Sequence, residues 1–330
     1  MMFLILHHFI RILPQESTSP LITCSDILFH SAASCFIIIS GYYGIKFKVK
    51  KLIEIFLYII FYSVLLCLFA KYQYNTTTWK DVIKSFLPVT NGYYWFISIY
   101  IQLYIFAPFL NTLLKNLSNK QFSLFIAALT FLVYYIGIIR SSNSGFDGKH
   151  IQNFILLYCI GNGIKRITQR VDIPTKAIRY YTISTIFIIP TIACISLYIS
   201  RNSWTYIFPL FEHYHSPGLI LISIAIFLFF ATYHYTNNAI NYISKSALAI
   251  YLFHEHPFVS KYIYKDFYSS LYADWEIVAL YLISGTCIVT ITAIIIDQVR
   301  ILLQKSVTTI ISKKWNKILW EILNCLLNLM

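Results

Sequence analysis

Two adjacent histidines, His7 and His8, sit in the first apolar run of the chain, where a polar side chain is costly and needs a partner or a task. Neutral imidazole can take a proton near physiological pH, so a general base inside a helix bundle is one reading. Packing through a hydrogen bond to a neighbouring helix is the other. Successive helical residues are set about 100° apart, so the two rings cannot face one site equally. A second cluster, His254-Glu255-His256-Pro257, ends in a proline that stops or kinks a helix. Two histidines at that spacing are compatible with a metal, but no further ligand converges on them in the sequence and no metal is assigned. Ordinary interfacial residues are the alternative there. Lys46, Lys48, Lys50 and Lys51 follow Ser40-Gly41-Tyr42. They mark a cytoplasmic loop, or they hold an anionic ligand such as a nucleotide phosphate. Tyr93-Tyr94-Trp95-Phe96 opens another apolar run, as an aromatic belt at the membrane interface or as part of a binding site.

The elements that position these residues are membrane helices. The 330-residue chain is 58% hydrophobic and 12% charged, about half the charge of a soluble domain. Apolar runs able to cross ~30 Å of hydrocarbon lie at Leu52–Phe69, Trp95–Leu114, Phe122–Ile139, Tyr180–Ile199, Gly218–Tyr235 and Val278–Ile296. Shorter or more polar candidates are Ile27–Gly44, Ile151–Ile164 and Ile243–Val259. Met1–Leu13 is the tenth; at ~20 Å it is short for a span, and the first helix is read as truncated. The expected fold is an all-α polytopic membrane bundle of about ten transmembrane helices.

With both termini cytoplasmic, the inside loops receive Lys46 to Lys51, Lys115 and Lys120, the Lys165–Arg179 group, Lys245 and the basic residues from Arg300 to Lys317. That is the positive-inside pattern, and Asn75 and Asn143 then fall outside. The net charge of +13 forms no single stripe or arm, which argues against nucleic acid. Residues 1–297 read as one membrane domain. Residues 298–330 read as a cytoplasmic amphipathic tail, lying on the inner leaflet or capping the bundle. The seven cysteines, none in a CxxC pair, read as small packing residues. The glycosylation triplet Asn75-Thr76-Thr77 is common by chance and is assigned nothing.

Four strings occur in one order along the chain. They are His7-His8-Phe9, Phe36-Ile37-Ile38-Ile39-Ser40-Gly41-Tyr42 followed by lysines, Tyr94-Trp95-Phe96-Ile97 running to Tyr104-Ile105-Phe106-Ala107-Pro108-Phe109-Leu110-Asn111, and Tyr251-Leu252-Phe253-His254-Glu255-His256-Pro257. Together they resemble the acyltransferase 3 family of bacterial membrane acyltransferases. The resemblance implies an enzyme of the bacterial inner membrane that moves an acyl group, usually acetyl from cytoplasmic acetyl-CoA, to a hydroxyl of a surface polysaccharide or its lipid-linked precursor. It implies that a first-helix histidine is the catalytic base. In the family that histidine follows an arginine with ten residues between. The spacing selects His8 over His7 and places the arginine just before Met1, as a truncated first helix also would. Lys46, Lys48, Lys50 and Lys51 are then the expected contacts of acetyl-CoA. Trp95, His254 and Glu255 are the expected substrate contacts, and membrane lipids are the surroundings. A transporter or flippase of lipid-linked glycans is the alternative, disfavoured by the absence of duplicated halves. An inactive, truncated membrane scaffold is a third reading.

Overall fold

The computed structural model describes residues 1–13, 20–74, 77–90, 92–135, 147–171, 173–199, 213–233, 236–260 and 275–327. Asn75 and Asn143 lie outside the described residues. Among the described residues every regular element is a helix. In chain order these are α1 (Met2–Ile10), α2 (Pro20–His30), α3 (Ala32–Tyr43), α4 (Val49–Tyr74), α5 (Trp79–Lys84), α6 (Trp95–Asn116), α7 (Asn119–Tyr134), α8 (Ile151–Thr168), α9 (Thr175–Ile199), α10 (Pro217–Ala231), α11 (Asn238–Lys245), α12 (Ala247–His254) and α13 (Trp275–Leu327).

Among the described residues, five stretches are long and apolar enough to cross a membrane: Cys24–Tyr43, Val49–Gln73, Trp95–Asn116, Thr175–Ile195 and Ile277–Leu303. Pro217–Ala231 is apolar but shorter. The five long stretches coincide with five of the ten expected spans, and the other candidates are shorter or more polar. Helix α8 carries the buried polar Asn153 and is packed against several neighbours, so its composition is set by protein contacts rather than by lipid. The run Ile243–Val259 is divided at Ser246, which caps α11 and starts α12. Ser246 leaves helical geometry, with φ −92° and ψ 14°, and its hydroxyl donates to the buried Asp297 carboxylate at 2.8 Å. Helix α1 is nine residues long. Residues 298–327 continue α13 as helical backbone.

Local signals place the ends. Ser118 and Gln121 form a reciprocal capping box at the start of α7, and the Ser216 hydroxyl caps α10 with Pro217 in its first turn. Helix α3 stops at Gly44, whose φ of 77° suits glycine, and the exposed lysines follow directly. Helices α3 and α8 cross at closest approach through Gly41 and Gly161. A Cβ on Gly41 would stand 2.0 Å from the Tyr158 carbonyl oxygen, and one on Gly161 would stand 2.2 Å from that of Ile38. Neither helix can accept a methyl there without moving away from the other. Gly161→Ala is therefore expected to lower stability by about 1–3 kcal/mol, the usual cost of overpacking. Thermal unfolding in detergent, followed by loss of the monodisperse elution peak, checks this; an unchanged midpoint would contradict the crossing.

Cys24 and Cys194 form a disulfide, with a Cα–Cα distance of 6.1 Å. This corrects the reading of every cysteine as a packing residue. Cys35, Cys67 and Cys159 are free and buried, as that reading expects. At the other end of the bundle, Asp297 is almost fully buried and accepts from Tyr58, Ser246 and Arg300. A buried carboxylate needs such complete pairing, and this one ties α4, α12 and α13 together.

Candidate active site

The first helix presents its two histidines to different neighbours, as the ~100° step requires. His7 Nδ1–H donates to Asp26 Oδ1 at 2.6 Å, and Arg11 Nε–H donates to Asp26 Oδ2 at 3.1 Å. One carboxylate from α2 therefore holds two side chains of α1 and the residues just after it. The His7 ring also stacks on His30 at 4.3 Å. His7 is buried and committed to this network.

His8 turns the other way. Its Nε2 lies 3.2 Å from Glu255 Oε2, and its ring meets that of His254 edge-on at 5.2 Å. His8 keeps about a quarter of its side chain exposed, whereas Glu255 is more enclosed and His254 is fully buried. Helix α12 ends at His254, with Glu255 as its C-cap, and Pro257 prevents its continuation. That ending places Glu255 opposite α1. His254 Nδ1–H donates to the Ile250 carbonyl at 2.7 Å, which fixes its ring. His256, the other histidine of the motif, turns away and packs against Tyr93, Tyr94 and Phe258.

A cavity opens on this pair. It is lined by Met1, Leu4, His8, Ala33, Phe36, Trp95, Phe96, Tyr251 and Glu255. Its walls are apolar and aromatic, and the ionisable side chains in its lining are His8, Glu255 and Tyr251. Trp95 begins α6 and packs on Tyr214 at 4.8 Å. Lys149 Nζ stands 5.3 Å over the Trp95 ring and 5.9 Å over that of Tyr214. These last contacts depend on Asn153, whose buried amide donates to the Gly148 and Tyr214 carbonyls at 3.0 and 3.1 Å. Gly148 has φ of 78° and a Cβ there would meet His215, so the loop carrying Lys149 has little freedom to shift.

The lysines lie elsewhere. Lys46, Lys48, Lys50 and Lys51 are exposed beyond the end of α3. Tyr104 accepts the Lys48 backbone N–H at 3.0 Å, Asn111 donates to the Ile45 carbonyl at 2.8 Å, and these bonds fix the loop's path. Phe36, the cavity-lining residue of α3 nearest its end, is seven helical residues from Tyr43, so the lysines begin ~10 Å from the cavity along α3.

The structure thus brings His8, His254, Glu255 and Trp95 together, sets His7 apart on Asp26, and leaves the lysines at a distance. Three of these residues, His8, His254 and Glu255, offer ligand atoms within 4.8 Å of one another. Sequence reasoning missed Asp26 and His30, although a carboxylate and an imidazole inside an apolar stretch are a usable signal. It also missed Tyr214 and Lys149, which come from loop segments with no periodic pattern.

Comparison with known protein families decides the class. The model of the acyltransferase 3 family, described as an acyltransferase domain, matches residues 1–297. The chain belongs to this family. It is accordingly a membrane acyltransferase, and the match spans every described helix up to Asp297 of α13, including both His8 and Glu255. No curated protein and no solved structure matches the chain.

Proposed function

We propose that this acyltransferase moves acetyl from acetyl-CoA to a hydroxyl of a surface polysaccharide or its lipid-linked precursor, with His8 as general base. The observation that carries the proposal is the 3.2 Å pair between His8 Nε2 and Glu255 Oε2 at the polar end of an apolar cavity. A sugar hydroxyl is a poor nucleophile until a base removes its proton. The Glu255 carboxylate beside Nε2 favours the tautomer protonated there, and Nδ1 then keeps the lone pair that accepts that proton. The alkoxide oxygen then bonds to the thioester carbonyl carbon, the C–S bond breaks, and the proton passes from His8 to the leaving thiolate. The products are an O-acetyl ester and free CoA, and the step calls on histidine chemistry alone, without a metal.

Roles follow from position. Glu255 orients His8 and balances the imidazolium that forms, and buried His254 backs Glu255. Both are positioning residues in this account, in place of the direct substrate contact expected from sequence. Trp95, with Tyr214 and Lys149 above it, is the aromatic surface on which a sugar ring would rest. His7 holds α1 through Asp26. Lys46, Lys48, Lys50 and Lys51 meet the phosphates of the donor, whose long pantetheine arm bridges to the cavity.

The orientation puts the lysines and both termini in the cytoplasm of a bacterial inner membrane, as the basic loops favour. Cys24 opens the apolar stretch that runs to Tyr43, so the Cys24–Cys194 disulfide stands at the end of that span opposite the lysines. This supports the same orientation, because disulfides persist on the oxidising outer side.

Membranes containing the protein, supplied with acetyl-labelled acetyl-CoA, should incorporate label into glycan as a base-labile ester. A chain that only moves lipid-linked glycans would leave the glycan unlabelled. Changing Lys48, Lys50 and Lys51 together to Gln should raise the KM for acetyl-CoA by about 3- to 100-fold, at roughly 0.2–1 kcal/mol per exposed charge. It should also flatten the dependence of KM on ionic strength, since fewer charges remain to be screened. An unchanged KM would reduce these lysines to topology markers.

A further inference from the structure

The His8–His254–Glu255 cluster has a second capacity. We propose that it binds a divalent transition metal of the Zn²⁺ class, and that a bound ion blocks acyl transfer by occupying the base. The inhibitory half rests on the function proposed above; the binding half rests on geometry alone.

The ligand atoms are nearly in place. His8 Nε2 is 3.2 Å and His254 Nε2 is 3.9 Å from Glu255 Oε2, and all the ligand atoms lie within 4.8 Å of one another. Zn²⁺ holds imidazole nitrogen and carboxylate oxygen at about 2.0–2.2 Å, so ligands of a tetrahedral ion stand roughly 3.4 Å apart. One edge of the triangle already has this length, and the others need to close by roughly 1.5 Å at most.

The outer arrangement also fits. A metal-binding histidine usually donates its second ring N–H to a carbonyl or carboxylate, which fixes tautomer and orientation. His254 does so, through Nδ1–H to Ile250 at 2.7 Å, and this leaves Nε2 as the ligating atom. Two imidazoles and one carboxylate suit Zn²⁺ or Co²⁺; Mg²⁺ and Ca²⁺ favour oxygen ligands. His8 and Glu255 also line the cavity, where water would complete a four-coordinate site.

Inhibition follows from the tautomer. A metal on His8 Nε2 leaves the ring proton on Nδ1, the nitrogen that must accept the hydroxyl proton. It also takes the Glu255 charge away from the imidazolium. One ring cannot serve both purposes at once.

The test titrates the detergent-purified full chain with Co²⁺. We expect equimolar binding with the visible absorption of a four- or five-coordinate site, displaced by Zn²⁺. His8→Gln, His254→Gln and Glu255→Gln should each weaken Co²⁺ binding by at least about 10–100-fold, the range that even outer-shell partners cost. His213→Ala should leave binding unchanged; it removes a ring from the separate group of His213, His215 and Asp147. Elution profiles confirm folding, and His8, the most exposed of the three, is the substitution least able to disturb the core. Absence of an equimolar spectrum, its survival in all three variants, or its loss in His213→Ala would overturn the site. Zn²⁺ should also inhibit acyl transfer over the concentration range in which it displaces Co²⁺; full activity with the site filled overturns the inhibitory half. A chain that binds metal through these residues yet shows no acyl transfer would keep the site and refute the function.

Discussion

His8→Ala should lower acyl transfer about 10²–10⁴-fold, the usual contribution of a positioned general base, while membrane insertion and folded yield stay near those of the parent. The asymmetry follows from where the ring sits. His8 is partly exposed to the cavity and its polar contact is with Glu255, so its removal takes away chemistry and little packing. His7→Ala has the opposite profile. It breaks a 2.6 Å bond to Asp26 and a stack on His30 in a buried setting, and it should cost stability first and rate second. Rates normalised to folded protein separate the two. If His7→Ala proved inactive while folded, and His8→Ala active, the assignment within the pair would be reversed.

Glu255→Gln should cost nearly as much, about 10²–10⁴-fold in kcat, with the KM for acetyl-CoA little changed. The amide has the size of the carboxylate and can still meet His8, so packing against His254 persists. The charge that stabilises the imidazolium is gone, and the amide NH₂ favours the wrong tautomer of the ring. Replacing the orienting carboxylate of a catalytic triad by its amide costs about 10⁴ in kcat for this reason. Glu255→Asp should recover part of the rate, since it keeps the charge and shortens the reach. Equal, mild effects of both substitutions would return Glu255 to an interfacial role.

Much of this was legible in the sequence, and the limits were physical. The long apolar runs Leu52–Phe69 and Trp95–Leu114 correspond to α4 and α6, because a helix facing lipid must be apolar along its whole length. The same criterion is less decisive where helices are short or face protein. Helix α8 tolerates Asn153, Gly161 and Asn162 because other helices surround it, and the apparent span at Ile243–Val259 is cut by a serine whose partner, Asp297, lies on α13. The four family strings identified the class before any fold was known, and the family match over residues 1–297 bears that out. The site was harder. His8, Trp95 and the His254-Glu255 pair were each visible as unusual residues. Their convergence was not, because it joins the first helix to the twelfth, and local pattern carries no information about that contact. Of the two histidines that flank Glu255, only His254 turns toward α1. The cysteines show the limit most plainly: Cys24 and Cys194 match the buried free cysteines in apolar context, and only the packing of α2 against α9 distinguishes them.

The most direct test of the central claim is acetyl transfer by the His7→Ala/His8→Ala double variant in membranes supplied with labelled acetyl-CoA. The parent should place label in glycan, and the double variant, present at comparable folded levels, should place at least 10²-fold less. Labelling by the double variant at the parent's rate would contradict the histidine mechanism.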